Sequence, residues 1–110
     1  MEKVIKKIHE LLSDKKAQDI VTLSLFEVTT IADYFILATG TSSTHINALS
    51  EHIEKELAKE QIFPRHKEGK RNGEWVLMDY TDIVIHIFNR ETRAYYDLER
   101  IWSDAKYIEI

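Results

Sequence analysis

Val4, Ile5, Ile8, Leu11 and Leu12 recur at the spacing of one helical stripe, so residues 2–15 are predicted to form an amphipathic helix. Lys3, Lys6, Lys7 and Glu10 occupy its solvated side, and the SerAspLysLys run at 13–16 ends it. In DIVTLSLF, Val21, Leu23 and Leu25 alternate with Thr22 and Ser24, the two-residue period of a half-buried strand. A polar bend from Val28 to Ala32 leads to YFILAT at 34–39, a continuous apolar run expected of a mid-sheet strand covered on both faces. Gly40 breaks that strand. The hydroxyls of Thr41, Ser42, Ser43 and Thr44 can accept a bond from a free amide, so a second helix should start here. Ile46, Leu49, Ile53 and Leu57 mark its buried stripe, and it should end near Glu60.

The polar, basic stretch PRHKEGKRNG at 64–73 reads as an exposed loop. EWVLMDY and DIVIHIF follow with only Thr81 between them, which predicts a tight antiparallel hairpin of open turn type. Ala94, Tyr95, Leu98, Ile101 and Trp102 repeat the helical spacing and predict a third helix followed by a short tail. The order α-β-β-α-β-β-α predicts an α/β domain over 1–110 with a mixed sheet flanked by helices. A right-handed crossover should run from the second strand through the second helix to the third strand, EWVLMDY.

Composition narrows the chemistry. At 110 residues, one core can bury roughly two-thirds of the surface the unfolded chain exposes. The absence of cysteine excludes disulfides, thiolate catalysis and Cys-ligated zinc, and is compatible with a reducing cytoplasm. No apolar run approaches the roughly 20 residues that span a bilayer, so the reading is a soluble, unexported, cytoplasmic protein without membrane contact. The net charge of −4 should repel nucleic-acid phosphates. It favours a basic protein partner, with no DNA and only incidental RNA contact. Simple solvation is the preferred reading of the basic run at 65–71.

Catalytic signals are weak. GTSST at 40–44 lacks both the phosphate-loop and the dinucleotide glycine patterns, so it reads as a helix cap before a phosphate cradle. Asp79 and Asp82 flank a turn, where two-metal chemistry would need carboxylates that point together. The five histidines show no zinc spacing, and His86, between Ile85 and Ile87, reads as buried and hydrogen-bonded before it reads as a base. No catalytic residue, metal or cofactor is expected. Attention turns to Gly73–Trp102, where Trp75, Tyr80, Tyr95, Tyr96 and Trp102 are interleaved with Asp79, Asp82, Asp97 and Glu99, a mixture suited to binding a macromolecule. Alternation puts Trp75, Leu77 and Asp79 on one strand face and Val76, Met78 and Tyr80 on the other. It leaves Trp75 open between core residue and surface anchor. Tyr95, Leu98 and Trp102 read as core, with Tyr96, Asp97 and Glu99 turned from that stripe.

ADYFILATGTSSTHINAL at 32–49, EWVLMDYTDIVIHIF at 74–88 and RAYYDLERIWSDA at 93–105 together resemble the ribosomal silencing factor family, RsfS/Iojap-like, over nearly the whole chain. The resemblance implies a nucleotidyltransferase-like fold and a non-enzymatic translation repressor. Such a protein would bind the large ribosomal subunit through its protein number fourteen, block the small subunit under nutrient limitation, and in some members act in subunit maturation. Homodimers are implied as well. By matching position, Trp75, Leu77, Asp79 and Tyr80 become the main candidate contacts, with Tyr96, Asp97 and Glu99 as weaker ones, and Trp75 is tipped outward. The competing readings are a nucleotide-binding enzyme of nucleotidyltransferase-like fold and a dimerisation module of unknown partner.

Overall fold

The computed structural model describes residues 2–109. Helix α1 (Glu2–Asp14) leads into β1 (Gln18–Ser24), β2 (Tyr34–Thr39), α2 (Ser43–Ala58), β3 (His66–Lys70), a single 3₁₀ turn (Arg71–Gly73), β4 (Trp75–Asp79) and β5 (Ile83–Phe88). Two short helices, α3 (Arg90–Tyr96) and α4 (Leu98–Ile101), then precede β6 (Lys106–Ile108). The strands form one mixed sheet in the order β3-β4-β5-β2-β1-β6. Among the described residues, only β2 and β5 pair in parallel; the other neighbours are antiparallel.

The apolar pattern explains most of this. α1 buries Ile5, Ile8, Leu11 and Leu12, and α2 buries Ile46, Leu49, Ile53 and Leu57, the predicted stripes in both cases. These side chains pack on Ile36, Ala38, Val76, Met78, Ile83, Ile85 and Ile87 from one face of the sheet. Burying each such Leu or Ile contributes roughly 1.5–3 kcal/mol. β2 lies between β5 and β1, and the interior position accounts for its uninterrupted apolar run. Ser42 caps α2, its hydroxyl accepting from the His45 amide at 3.1 Å. Both long helices stop without glycine. Lys16 and Gln61 take left-handed backbone, and the next amides, of Ala17 and Ile62, return to the carbonyls of Leu12 and Leu57 at 3.0 Å.

The structure corrects three expectations. Residues 66–70, read as loop, are an edge strand in register with β4, from His66 opposite Asp79 to Lys70 opposite Trp75. A strand that is polar on both faces carries no period-two signal, so only pairing reveals it. The crossover from β2 through α2 therefore lands on β3 rather than on the Trp75 strand. Residues 106–108, read as tail, pair with β1 and close the opposite edge. The predicted third helix is broken at Asp97, which adopts left-handed backbone (φ 46°). Helical periodicity does not continue through such a residue, so Tyr95 and Ile101, read as core, are 78% and 62% exposed. Tyr96 turns inward in their place.

Candidate partner-binding face

The second face of the sheet is covered by the short α3–α4 segment together with Leu25 and Ala32 of the β1–β2 connection and Ala105. Beneath this cover lie Leu23, Phe35, Leu37, Trp75, Val84 and Phe88, with Val21, Leu77, Tyr96, Leu98 and Trp102 partly buried against them. This thinly covered face contains most of the residues singled out from the sequence. Trp75 is its floor and not its surface, at 8% exposed. The indole N–H donates to Nδ1 of His86 at 3.1 Å, and the ring lies 4.8 Å from Tyr96 and 5.7 Å from Phe88. The outward anchor expected from the resemblance is thus an inward one in the free chain, because His86 and Tyr96 hold the ring from below and above.

Leu77 and Asp79 stand on the same strand face and are half-buried, beside Glu68 and His66 of β3. Tyr80 does not join them. It points to the α1–α2 side, its hydroxyl is buried without a partner, and burial, helped by the charge of Glu54, pushes its pKa up to about 12. Tyr96, Asp97 and Glu99 do gather at this face, since the kink at Asp97 folds α4 back. Arg93 fixes the kink. Its guanidinium donates to both oxygens of Glu99 at 3.3 and 3.0 Å, to the Asp19 carbonyl at 2.7 Å and to the Thr39 hydroxyl at 2.9 Å. Sequence reasoning missed Arg93, because its partners are distant in the chain.

The electrostatics are more balanced than the sequence implied. Asp79 is bound by Arg65 at 2.6 Å and by the Thr81 amide at 2.7 Å. Partial burial works to raise its pKa, but the Arg65 and Thr81 bonds outweigh it and leave the carboxyl below its ordinary range. Glu99 pairs with Arg93, and Asp97 with Arg100 at 3.6 Å. The basic run is likewise neutralised: Lys67 meets Glu54, Lys70 and His66 meet Glu68, and Arg71 meets Glu74. A phosphate backbone would find little free positive charge on this strand.

His86 is 4% exposed and keeps one nitrogen, Nε2, without a partner. Burial, with a smaller effect from Lys70, pushes its pKa down to about 4. Ringed by Phe35, Trp75 and Phe88, it is the buried, hydrogen-bonded histidine that its strand position predicts. Among the described residues, no group of three or more His, Asp or Glu side chains is placed to hold a metal ion. No described helix is long and apolar enough to cross a membrane.

The family model "Ribosomal silencing factor during starvation", RsfS, matches residues 1–110. Ribosomal silencing factor RsfS of Halalkalibacterium halodurans is 35% identical over 90% of this chain and 85% of its own length. The Bacillus subtilis protein of the same name is 34% identical over 88% and 82%. The mouse protein named Mitochondrial assembly of ribosomal large subunit protein 1 is 33% identical over 84% of this chain and 42% of its own. A crystal structure from Chromobacterium violaceum superposes with a TM-score of 0.88 at 33% identity, covering 93% of this chain and 85% of that one. With the matched sequence and the matched sheet in agreement, the chain belongs to the RsfS family of ribosomal silencing factors.

Proposed function

We propose that this protein binds the large ribosomal subunit through its protein number fourteen and thereby excludes the small subunit, repressing translation when nutrients are limiting. The observation that carries the reading is the thinly covered sheet face, where Leu77, Tyr96, Asp97 and Glu99 surround a preorganised Trp75–His86 floor. A half-exposed Tyr over rigid aromatic support with a polar rim matches the usual composition of a binding hot spot, and Leu77 adds apolar area beside it. Asp79 joins the same patch, whereas Tyr80 contributes from the other side of the strand by holding the hairpin turn. The name of the mouse relative, which refers to large-subunit assembly, supports the same target and a role in subunit maturation.

The mechanism is occupancy. A body of this size seated on the joining surface needs no chemistry, no cofactor and no metal, only a residence time longer than the interval between small-subunit encounters, so the off-rate is decisive. The working compartment is the cytoplasm, and any homodimer must release or spare the face used on the ribosome. Cosedimentation with purified large subunits tests the reading directly. Tyr96→Ala and Leu77→Ala, each verified as folded, should weaken binding by roughly 2 kcal/mol, about 30-fold. Wild-type protein that fails to pellet with large subunits, or fails to inhibit subunit joining, would overturn it.

A further inference from the structure

The carboxylates of the Trp75 face are engaged within the chain, but those around the β1–β2 connection are not. Glu27, Asp33 and Asp82 make no ion pair among the described residues. Glu27 and Asp33 line an open groove of about 490 Å³ with Phe26, Val28, Thr29 and Thr30. Asp82 is exposed in the β4–β5 turn and is tied to the same segment, its carbonyl accepting from the Asp33 and Tyr34 amides at 2.9 and 3.0 Å. Lys106, whose strand partner is Ser24, brings one positive charge against these three negative ones.

The apolar side chains here are turned out. Phe26 is 63% exposed and Ile31 is 64% exposed, with Val28 beside them. The segment is nonetheless built: the Leu25 amide bonds the Asp33 carbonyl at 2.8 Å, and the Val28 and Thr29 amides return to the Leu25 carbonyl at 2.9 and 3.2 Å. Glu27 holds left-handed backbone (φ 69°) to make that reversal. A closed loop that presents two large apolar side chains to water forgoes the burial that normally stabilises them.

We propose that this surface is a second docking site, for a Lys/Arg-rich protein segment with an apolar anchor. The anchor covers Phe26 and Ile31 while its cations meet Glu27, Asp33 and Asp82, and complementary charge orients the encounter. Nucleic acid is disfavoured by the sign of the charge, and a second copy of this chain, itself at −4, is disfavoured for the same reason. The inference rests on the reading that the chain binds the large ribosomal subunit, and it extends that contact from the Trp75 face around the Asp79–Asp82 turn.

Two double variants at these positions test it, Glu27→Lys with Asp82→Lys, and Phe26→Ser with Ile31→Ser, each compared with wild type for thermal unfolding. In cosedimentation with large subunits at graded KCl, both should lose about tenfold or more in affinity, and the charge variant should also flatten the salt dependence. Wild-type binding with both folded variants binding equally well, at the same salt slope, overturns this site and leaves the subunit reading intact. Wild type that does not pellet overturns both. Variants that change self-association on sizing while leaving subunit binding unchanged give the surface to a second copy and overturn the proposal.

Discussion

The indole N–H of Trp75 meets Nδ1 of His86 at 3.1 Å inside the thinly covered face of the sheet. The bond sets the imidazole tautomer: Nδ1 accepts, so the proton sits on Nε2, which has no partner. A second proton would have to enter at Nδ1, facing a donor, in a site with almost no water. Stability, ring orientation and the shape of the proposed contact surface all depend on this pair.

Acid should weaken the fold earlier than carboxylate titration alone allows. His86 is held at about 4 from an ordinary value of 6.5, so between those values the unfolded chain binds a proton that the folded chain refuses. The contribution is fully present above pH 6.5 and is lost as pH falls toward 4, about 3 kcal/mol in all. His9, lowered by burial, acts in the same direction. Urea denaturation from pH 7.5 to 4.5 should show this slope in wild type and a shallower one in His86→Leu. Equal slopes would remove His86 as the cause.

Trp75 variants separate support from contact. Trp75→Phe leaves the His86 acceptor without its donor and should cost about 1–3 kcal/mol of folding free energy. Trp75→Ala also opens a cavity and should cost about 3–5 kcal/mol. Because the ring is a floor, folded Trp75→Phe should keep nearly wild-type subunit affinity. A loss of about tenfold in a fully folded sample would return Trp75 to the interface.

The kink at Asp97 admits a backbone test. At φ 46° a side chain with Cβ is strained, and glycine is not. Asp97→Gly should be neutral or stabilising despite the lost Arg100 pair, which is exposed and weak. Asp97→Val should cost about 1–2 kcal/mol and release Tyr96 from Trp75. Thermal unfolding reads the first effect, and tryptophan fluorescence, with Trp75 and Trp102 both on this face, reads the second.

Gly40 is fixed by close packing at the β2–α2 junction. A Cβ there would lie 2.7 Å from Cγ1 of Ile46, a fully buried residue on the α2 stripe. Gly40→Ala should therefore destabilise by about 1–3 kcal/mol through overpacking. Ile46→Ala removes the crowding Cγ1, so its own cavity cost and the cost of Gly40→Ala should be clearly less than additive in the double variant. Additive costs in the double variant would sink the steric account.

The stripes of α1 and α2, the alternation in β1 and the apolar run of β2 were enough to specify two covering helices and a sheet with a buried centre. Burial drives all four, and burial leaves a period in the sequence. The face assignments in β4 were equally legible, with Trp75 and Leu77 on one side and Met78 and Tyr80 on the other. What periodicity cannot carry is pairing between distant segments. β3 and β6 exist because β4 and β1 offer them hydrogen bonds. Asp97 breaks the helix where Arg93, reaching Asp19 and Thr39, holds the chain in place. The same limit applies to the candidate site. Composition drew attention to Gly73–Trp102, but tertiary contacts alone decided that Trp75 faces in, that Tyr95 and Tyr96 exchange places, and that Glu27, Asp33 and Asp82 make no ion pair among the described residues. Local pattern reports whether a residue wants to be buried; which neighbour satisfies it is a property of the folded chain.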